Sequence, residues 1–212
     1  MSNAQSVIHV VDDDKSFRNA VARLLRAVGY QVALYESGDH LLANPPGSGP
    51  GCILLDVRMS SLSGLELQDR LSMLNSILPI VFLTGYGSIP MSVQAIKAGA
   101  EDFLSKPVSK DTLLEAVERA LVRYQERRQQ CDRLDDLRAL VSTLTPRERE
   151  VFALVVRGKL NKQIAHELGA SERTIKAHRH AVMEKLKVQS LAEAVSIAGR
   201  LGLQAPSGGG SS

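Results

Sequence analysis

The fold is decided by residues 7–35, which read VIHVVDDDKSFRNAVARLLRAVGYQVALY. The run at 7–11 is nearly continuous in apolar residues, with His9 as the exception, and this predicts a strand that is covered on both faces. Three aspartates follow at 12–14, and from Ser16 to Val28 the apolar residues recur three and four positions apart. That spacing predicts an amphipathic helix. The stretch therefore indicates a strand, an acidic turn, a helix and a second strand.

The same alternation continues to about residue 124. Further apolar runs predict strands at 32–35, 52–55, 79–83 and 102–105, and helical spacing recurs at 64–74, 89–98 and 110–124. Strands that alternate with helices in this way are typical of βαβ units. Right-handed crossovers then leave only a few topologies. We therefore predict an α/β fold, a doubly wound five-stranded parallel sheet.

The composition excludes several classes of protein. In 212 residues, 44% are hydrophobic and 23% are charged, which is ordinary for a globular protein and excludes collagenous, wholly disordered and disulfide-scaffold chains. The length favours two small domains. No apolar run approaches the roughly 18 residues of a membrane span, and residues 1–5 lack the order of a secretory signal. With two distant cysteines, Cys52 and Cys131, we expect a cytoplasmic protein that does not bind membranes.

The charge changes sign along the chain. The formal net charge is +3, but residues 1–124 hold 11 lysines and arginines against 13 aspartates and glutamates. Residues 125–143 hold four of each, and residues 144–212 hold 11 against 6. The basic C-terminal part indicates a polyanionic partner, most commonly nucleic acid.

Polar side chains follow four of the predicted strands. Parallel strands bring their carboxyl ends to one edge of the sheet, where ligands bind. Each side chain alone is as well explained by a turn or a helix cap. Together they favour a site, and neighbouring carboxylates suit a hard cation such as Mg²⁺. The residues are Asp12, Asp13 and Asp14 after the first strand, Asp56 after the third, Thr84 and Gly85 after the fourth, and Lys106 after the fifth.

Residues 6–124 resemble the receiver domain of two-component response regulators. The resemblance rests on VDDD at 11–14, LDVRM at 55–59 with Gly64 following, TG at 84–85, and KP at 106–107 after Phe103. It implies a flavodoxin-like fold in which a histidine kinase phosphorylates Asp56. One departure is Ser60, which stands where the family often has proline. The Lys106–Pro107 bond is also a candidate for a cis peptide, since only X–Pro bonds adopt cis at low cost.

The resemblance also implies roles for the other residues of the motifs. Thr84 and Lys106 would contact the phosphoryl group, and Thr84 and Phe103 would form a switch. Mg²⁺ would be the cofactor of this site. Its ligands would be Asp12, Asp13, Asp56 and the backbone carbonyl of Arg58.

Residues 125–143 contain no glycine or proline and carry apolar residues at helical spacing. This pattern predicts a helical connector that prolongs the fifth helix of the first domain. Its apolar face is weak, which favours a solvated helix over a coiled coil. Residues 204–212 are rich in glycine and serine, and we expect them to be disordered.

Residues 144–203 predict four short helices. Thr145-Pro146-Arg147-Glu148 combines a cap, a first-turn proline and a capping box, and Ser190 to Glu193 forms a second capping box. Between them, Asn161 is expected to cap a helix over 162–168, and Ser171 a helix over 172–186. A short helix, a turn with glycine and a second capped helix match the helix-turn-helix pattern.

This segment resembles the DNA-binding domain of the LuxR/NarL type. The resemblance rests on LTPREREV at 144–151, NKQIA at 161–165 and TIKAH at 174–178. In the helix over 172–186, the spacing places Ile175, Val182 and Leu186 on one face, while basic residues cover the rest. An exposed basic face is often merely solvated. Here the local charge and the motif favour insertion into a DNA major groove.

The resemblance implies which side chains meet DNA and which pair two subunits. The residues expected near DNA are Lys162, Thr174, Lys176, Ala177, Arg179, His180 and Lys185, with Lys176, Ala177 and His180 at base edges and Lys162, Thr174 and Lys185 mainly at phosphates. The residues expected in a dimer contact are Ala194, Val195 and Ala198 of the last helix.

Together the two segments resemble the FixJ subgroup of response regulators. The resemblance implies a transcription regulator whose partners are a sensor histidine kinase, double-stranded promoter DNA and a second copy of the chain, with RNA polymerase as a further candidate. Two alternatives are a phosphotransfer or scaffolding module and a constitutive DNA binder with a vestigial receiver. No nucleophile–base pair, glycine-rich phosphate loop or cofactor motif indicates an enzyme acting on a diffusible metabolite.

Overall fold

The computed structural model describes residues 6–85 and 89–203 of the chain. These residues belong to two compact units, which divide between Arg128 and Gln129. The predicted disorder of 204–212 lies outside the described residues, as does the N-terminal segment 1–5.

The first unit contains a five-stranded sheet in which each neighbouring pair of strands is parallel. The strand order is β2-β1-β3-β4-β5, which confirms the predicted doubly wound sheet. Its strands are β1 (Val7–Val11), β2 (Gln31–Tyr35), β3 (Gly51–Asp56), β4 (Ile80–Thr84) and β5 (Asp102–Ser105). The helices that begin in it are α1 (Lys15–Ala27), α2 (Gly38–Ala43), α3 (Gly64–Met73), α4 (Ile89–Lys97) and α5 (Lys110–Ser142).

Both faces of the sheet are covered, as the apolar runs predict. Successive residues of β3 and β4 enter two different core clusters: Leu55 and Phe82 lie in one, and Leu54 and Val81 in the other. All four side chains are 0% exposed. Central strands with two buried faces need continuous apolar sequence, and this is why the pattern of the chain is not alternating there.

The strand order reverses between β1 and β3. Val11 pairs with Leu55 in the parallel register, so the residues that follow them, Asp12 and Asp56, emerge side by side. In open α/β sheets the crevice at such a reversal is where ligands bind. The backbone register of the sheet alone therefore places Asp12 next to Asp56.

Helix α2 has no counterpart among the predicted elements. It has six residues, which is too short for a helical period to be visible. The hydroxyl of Ser37 accepts the His40 N–H at 3.1 Å and starts the helix. A serine cap is the one sequence signal that marks it.

Helix α5 runs without interruption from Lys110 to Ser142, which confirms that residues 125–142 prolong the fifth helix. The division between the two units falls inside it. Within the second unit, Leu137, Leu140 and Val141 pack against a core cluster of that unit. The expectation of a solvated connector is therefore wrong for this last part of the helix, which supplies apolar packing.

The second unit adds four helices to the end of α5: α6 (Pro146–Val156), α7 (Asn161–Glu167), α8 (Glu172–Lys185) and α9 (Leu191–Arg200). All four match predicted helices. The predicted capping box at Thr145 is present, with the Glu148 carboxylate accepting the Thr145 N–H at 2.8 Å. Asn161 is the first residue of α7 rather than its cap, and the Leu160 N–H is instead accepted by the Gln163 side chain at 2.8 Å.

Candidate functional site

Three carboxylates meet at the carboxyl edge of the sheet. One oxygen each of Asp12, Asp13 and Asp56 lies within 4.8 Å of the others. Asp12 and Asp56 are buried, whereas Asp13 is exposed and keeps the group open to solvent. Oxygen donors of this kind, with one open side, fit a hard divalent cation such as Mg²⁺.

Backbone N–H groups hold each carboxylate in place. Asp12 Oδ1 accepts the Asp14 N–H and Asp56 Oδ1 accepts the Val57 N–H, both at 2.9 Å. Asp13 Oδ2 accepts the Ser60 N–H at 3.2 Å. A proline at this position would have no N–H to donate, so the departure from the family pattern at Ser60 supplies a hydrogen bond to the acidic group.

Lys106 brings a positive charge to the same place from the end of β5. Its Nζ lies 2.5 Å from Asp12 Oδ2 and 3.6 Å from Asp56 Oδ1. Its backbone N–H donates to the Thr84 carbonyl at 2.7 Å, which ties it to the end of β4. The Lys106–Pro107 peptide is cis, as predicted.

The pKa of the Asp56 carboxyl is raised above its usual value. Burial is the main cause, since it disfavours the charged form. Lys106 and the N–H groups of Val57 and Arg58 oppose this effect, while the charge of Asp12 adds to it. A partly desolvated carboxylate beside an ammonium is a suitable nucleophile for a group that carries negative charge.

Thr84 lies at this edge, whereas Phe103 lies inside the sheet, where it pairs with Phe82. Thr84 ends β4 and is buried, at 1% exposure. Phe103 is half-buried in β5, and its ring centroid lies 6.0 Å from that of Phe82 in the core. Arg58 is exposed, and its backbone adjoins the Asp56 carboxylate. The structure thus brings Asp12, Asp13, Asp56 and Lys106 together, while the Asp14 side chain instead caps α1.

In the second unit, α8 separates an apolar face from an exposed one. Ile175, Val182 and Leu186 are at most 2% exposed and lie in the core clusters, as predicted. Other residues expected near DNA are solvent-exposed, and α8 begins at a cap in which Ser171 Oγ accepts the Thr174 N–H at 3.1 Å. These exposed residues are Lys162, Thr174, Lys176, Ala177 and His180.

Two other residues expected near DNA have partners inside the unit. Arg179 donates from Nη1 to the Asn161 side chain at 2.9 Å. Lys185 donates from Nζ to Glu148 Oε2 at 2.6 Å. These contacts connect α8 to the start of α7 and to the start of α6, so the two cations set the position of α8.

The expected dimer contact needs a correction. Ala194 and Ala198 are 0% exposed and belong to the core cluster of their own unit, so neither can contact a second subunit in this conformation. Val195 is half-buried and Leu191 is exposed. Ala194 and Ala198 face inward because α9 packs on α6 with that side.

Sequence reasoning missed three functional neighbours. Phe17 lies over the Lys106 ammonium, the Ser60 N–H holds Asp13, and Glu148 pairs with Lys185. The motif departure at Ser60 and the capping box at Glu148 were visible signals. No local pattern could pair Phe17 of α1 with the lysine that follows β5.

Two families match the two segments. Residues 8–118 match the response regulator receiver domain, and residues 142–198 match the bacterial regulatory proteins of the luxR family. None of the described helices is long and apolar enough to cross a membrane.

Relatives match over nearly the whole chain. The response regulator protein TodT of Pseudomonas putida F1 is 42% identical over 201 residues, which cover 95% of this chain and 88% of the relative. The transcriptional regulatory protein FixJ of Rhizobium meliloti is 39% identical over 191 residues, covering 90% and 94%. Among solved structures, the response regulator StyR has 45% identity and a TM-score of 0.72, covering 93% of this chain and 100% of that one. Full-length FixJ of B. japonicum has 38% identity and a TM-score of 0.56, covering 94% and 98%.

Proposed function

Because the chain belongs to the response regulators that combine a receiver domain with a luxR-family DNA-binding domain, we propose that phosphorylation of Asp56 by a histidine kinase controls its binding to promoter DNA. The observation that carries this proposal is the convergence of three carboxylates and the Lys106 ammonium at the reversal of strand order. Promoter DNA as the partner implies that the protein works in the cytoplasm.

The Asp56 carboxylate is the proposed acceptor. One of its oxygens attacks the phosphorus of the phosphohistidine, the phosphorus–nitrogen bond breaks, and the imidazole leaves. In-line transfer of this kind requires positioning and neutralisation of charge more than covalent chemistry. The backbone N–H of Val57 donates to Asp56 Oδ1 at 2.9 Å and holds the carboxylate in position for the attack.

Mg²⁺ would be held by Asp12, Asp13, Asp56 and the backbone carbonyl of Arg58. When bound, it supplies positive charge to the oxygens of the transferred group. The three carboxylates carry a formal charge of about −3 within a few ångströms, which repels an incoming phosphoryl group unless a cation is present. Lys106 alone offsets only one of these charges.

Lys106 and Thr84 are the proposed contacts of the phosphoryl group. Lys106 Nζ is already 3.6 Å from Asp56 Oδ1, near enough to meet an oxygen added to that carboxylate. The Thr84 hydroxyl can donate to another oxygen. Its reorientation would open space beside Phe103, whose ring is half-buried next to Phe82 and can turn further inward. Such a change biases a two-state element.

DNA recognition is assigned to the exposed face of α8. Lys176, Ala177 and His180 are exposed there and are the proposed contacts of base edges. Lys162 and Thr174 are the proposed contacts of phosphates. For dimer formation, we propose the outer side of α9 around Leu191 and Val195, since Ala194 and Ala198 are buried.

The direct test is phosphorylation of the full chain by acetyl phosphate with Mg²⁺, followed on Phos-tag gels. We expect a shifted band for the parent and for Asp69→Asn, which changes an exposed aspartate of α3, and none for Asp56→Asn. A genome-wide footprint with and without phosphorylation then tests the output. A shifted band in Asp56→Asn would refute the acceptor, and equal footprints would refute control by phosphorylation.

A further inference from the structure

Phe17 of α1 lies against the charged end of Lys106. The Lys106 Nζ is 4.0 Å from the centroid of the Phe17 ring, within the range of a cation–π attraction. We propose that Phe17 is a positioning residue for phosphoryl transfer, which keeps the Lys106 ammonium beside Asp56. The inference rests on the proposed function of Asp56.

The ring is itself held in place. Phe17 is half-buried and packs against the core cluster beneath α1. Its N–H donates to Asp14 Oδ1 at 3.2 Å, and the Asp14 N–H donates to Asp12 Oδ1 at 2.9 Å. These hydrogen bonds connect the backbone of Phe17 to the acidic turn. A Lys106 side chain that is held against the ring is therefore also held at a fixed distance from the carboxylates.

The two carboxylates that contact Lys106 have a second proposed role as ligands of Mg²⁺. Asp12 and Asp56 attract the ammonium at 2.5 and 3.6 Å, but both are proposed ligands of Mg²⁺, and Asp56 is the proposed acceptor. A carboxylate whose oxygen ligates a cation attracts an ammonium less strongly. The Phe17 ring is neutral and does not ligate Mg²⁺, so it can contact Lys106 throughout the reaction.

Simple packing is the alternative reading of the same contact. Phe17 belongs to the apolar stripe of α1 with Val21, Leu24 and Leu25, and packing alone needs only an apolar side chain of similar size. A role for the π face predicts a dependence on the electrons of the ring. A substitution that keeps the volume of the side chain but changes the electron density of the ring therefore distinguishes packing from a cation–π role.

The first experiment measures the rate of phosphorylation of the full chain by acetyl phosphate and Mg²⁺. From the usual strength of an exposed cation–π pair, we expect Phe17→Leu to slow the reaction about two- to fivefold. Phe17→Tyr should restore the parent rate, and 3,4,5-trifluorophenylalanine at position 17 should fall towards the leucine variant. Leu24→Ala, on the same stripe, controls for loss of packing and should keep the parent rate while lowering the melting temperature.

The second experiment needs neither Mg²⁺ nor phosphorylation. The Hε resonances of Lys106 should be shifted upfield by the ring current in the parent and in Phe17→Tyr, but not in Phe17→Leu. An unshifted parent resonance, or a leucine or trifluorophenylalanine variant that reacts at the parent rate, would overturn the proposal. Failure of the proposed function looks different, because then no chain, including the parent, is phosphorylated on Asp56.

Discussion

Lys185, the last residue of α8, donates a hydrogen bond to the buried Glu148 of α6, with 2.6 Å between Nζ and Oε2. The same oxygen accepts the Thr145 N–H at 2.8 Å. The bond from Lys185 is the main cause that lowers the pKa of Glu148. The Glu148 carboxylate thus caps the start of α6 and holds the last residue of α8, at the opposite end of α8 from Lys176 and Ala177.

We expect Lys185→Met to loosen the packing of α8 on α6. The variant leaves the Glu148 carboxylate without its cation, which costs free energy because the group is shielded from water. Hydrogen exchange of the backbone amides of α6 and α8 in the full chain should become faster. The slope of DNA affinity against salt concentration should stay as in the parent, since the Lys185 ammonium is paired with Glu148.

Lys162→Met is the matched control, because Lys162 is an exposed lysine of α7 and a proposed phosphate contact. It should leave the amide exchange unchanged, weaken binding to all DNA sequences alike and reduce the salt slope by about 0.9. If Lys185→Met reduces the slope and keeps the exchange rates, Lys185 contacts DNA as the sequence alone predicted.

Lys176→Ala should relax base preference. Lys176 is exposed near the start of α8, where the first residues of a recognition helix reach base edges. Loss of a good base contact removes about 1 to 3 kcal/mol of discrimination at one position of the site. Binding to a library of operator variants measures this change. Equal loss on every sequence would assign Lys176 to the phosphates instead.

The sheet and its acidic edge could be predicted because both depend on local sequence. Each functional side chain follows an apolar run, and the parallel register then places Asp12 next to Asp56. Helix α2 was missed because a six-residue helix has too few turns to show a period. Features that depend on consecutive residues can therefore be predicted from the sequence.

The remaining contacts depend on which helix faces meet. Ala194 and Ala198 look like an interface because they are small and apolar, yet the same property suits the tight packing of α9 on its own core. The sequence predicts that Lys185 contacts DNA phosphates, whereas in the structure it pairs with Glu148 of α6. The pairing of Phe17 with Lys106 joins α1 to the end of β5 and has no signal in either segment.

Gly64→Ala should impair the acceptor loop. A Cβ at Gly64 would lie 2.3 Å from the Asp56 carbonyl oxygen and 3.0 Å from Phe82, so the backbone of the acceptor must shift. We expect lower stability and slower phosphorylation by acetyl phosphate. The rate should fall more than in Gly51→Ala, where a Cβ would meet the Val7 carbonyl at 2.2 Å, at the other end of the strands.

Gly47→Ala completes this comparison, since a Cβ there meets nothing within 4 Å. Melting temperatures and phosphorylation rates of the three variants separate loss of stability from damage to the site. A Gly64→Ala protein with the rate of the Gly51→Ala protein would show that the close approach at Gly64 matters for folding alone.

His9 should make the receiver unit less stable as the pH falls. Its ring is buried in β1 with Nδ1 3.1 Å from the Tyr35 hydroxyl, and burial lowers its pKa from 6.5 to about 4. Below pH 6.5 the unfolded chain therefore binds a proton that the folded chain does not. Stability falls with each pH unit by up to about 1.4 kcal/mol, and the loss levels off once the folded ring is also protonated.

Urea unfolding of the full chain between pH 7 and pH 4, followed through receiver amide signals, measures this dependence. His9→Asn keeps a polar group near the Nδ1 position but cannot take up the proton, so its stability should vary less over this range. His40→Asn is the control, because His40 is exposed and packs edge-on against the same Tyr35 ring, with 5.5 Å between centroids. If His9→Asn loses stability with falling pH as steeply as the parent does, another group causes the loss of stability. Burial of a neutral His9 is then not the reason that the receiver unit is less stable in acid.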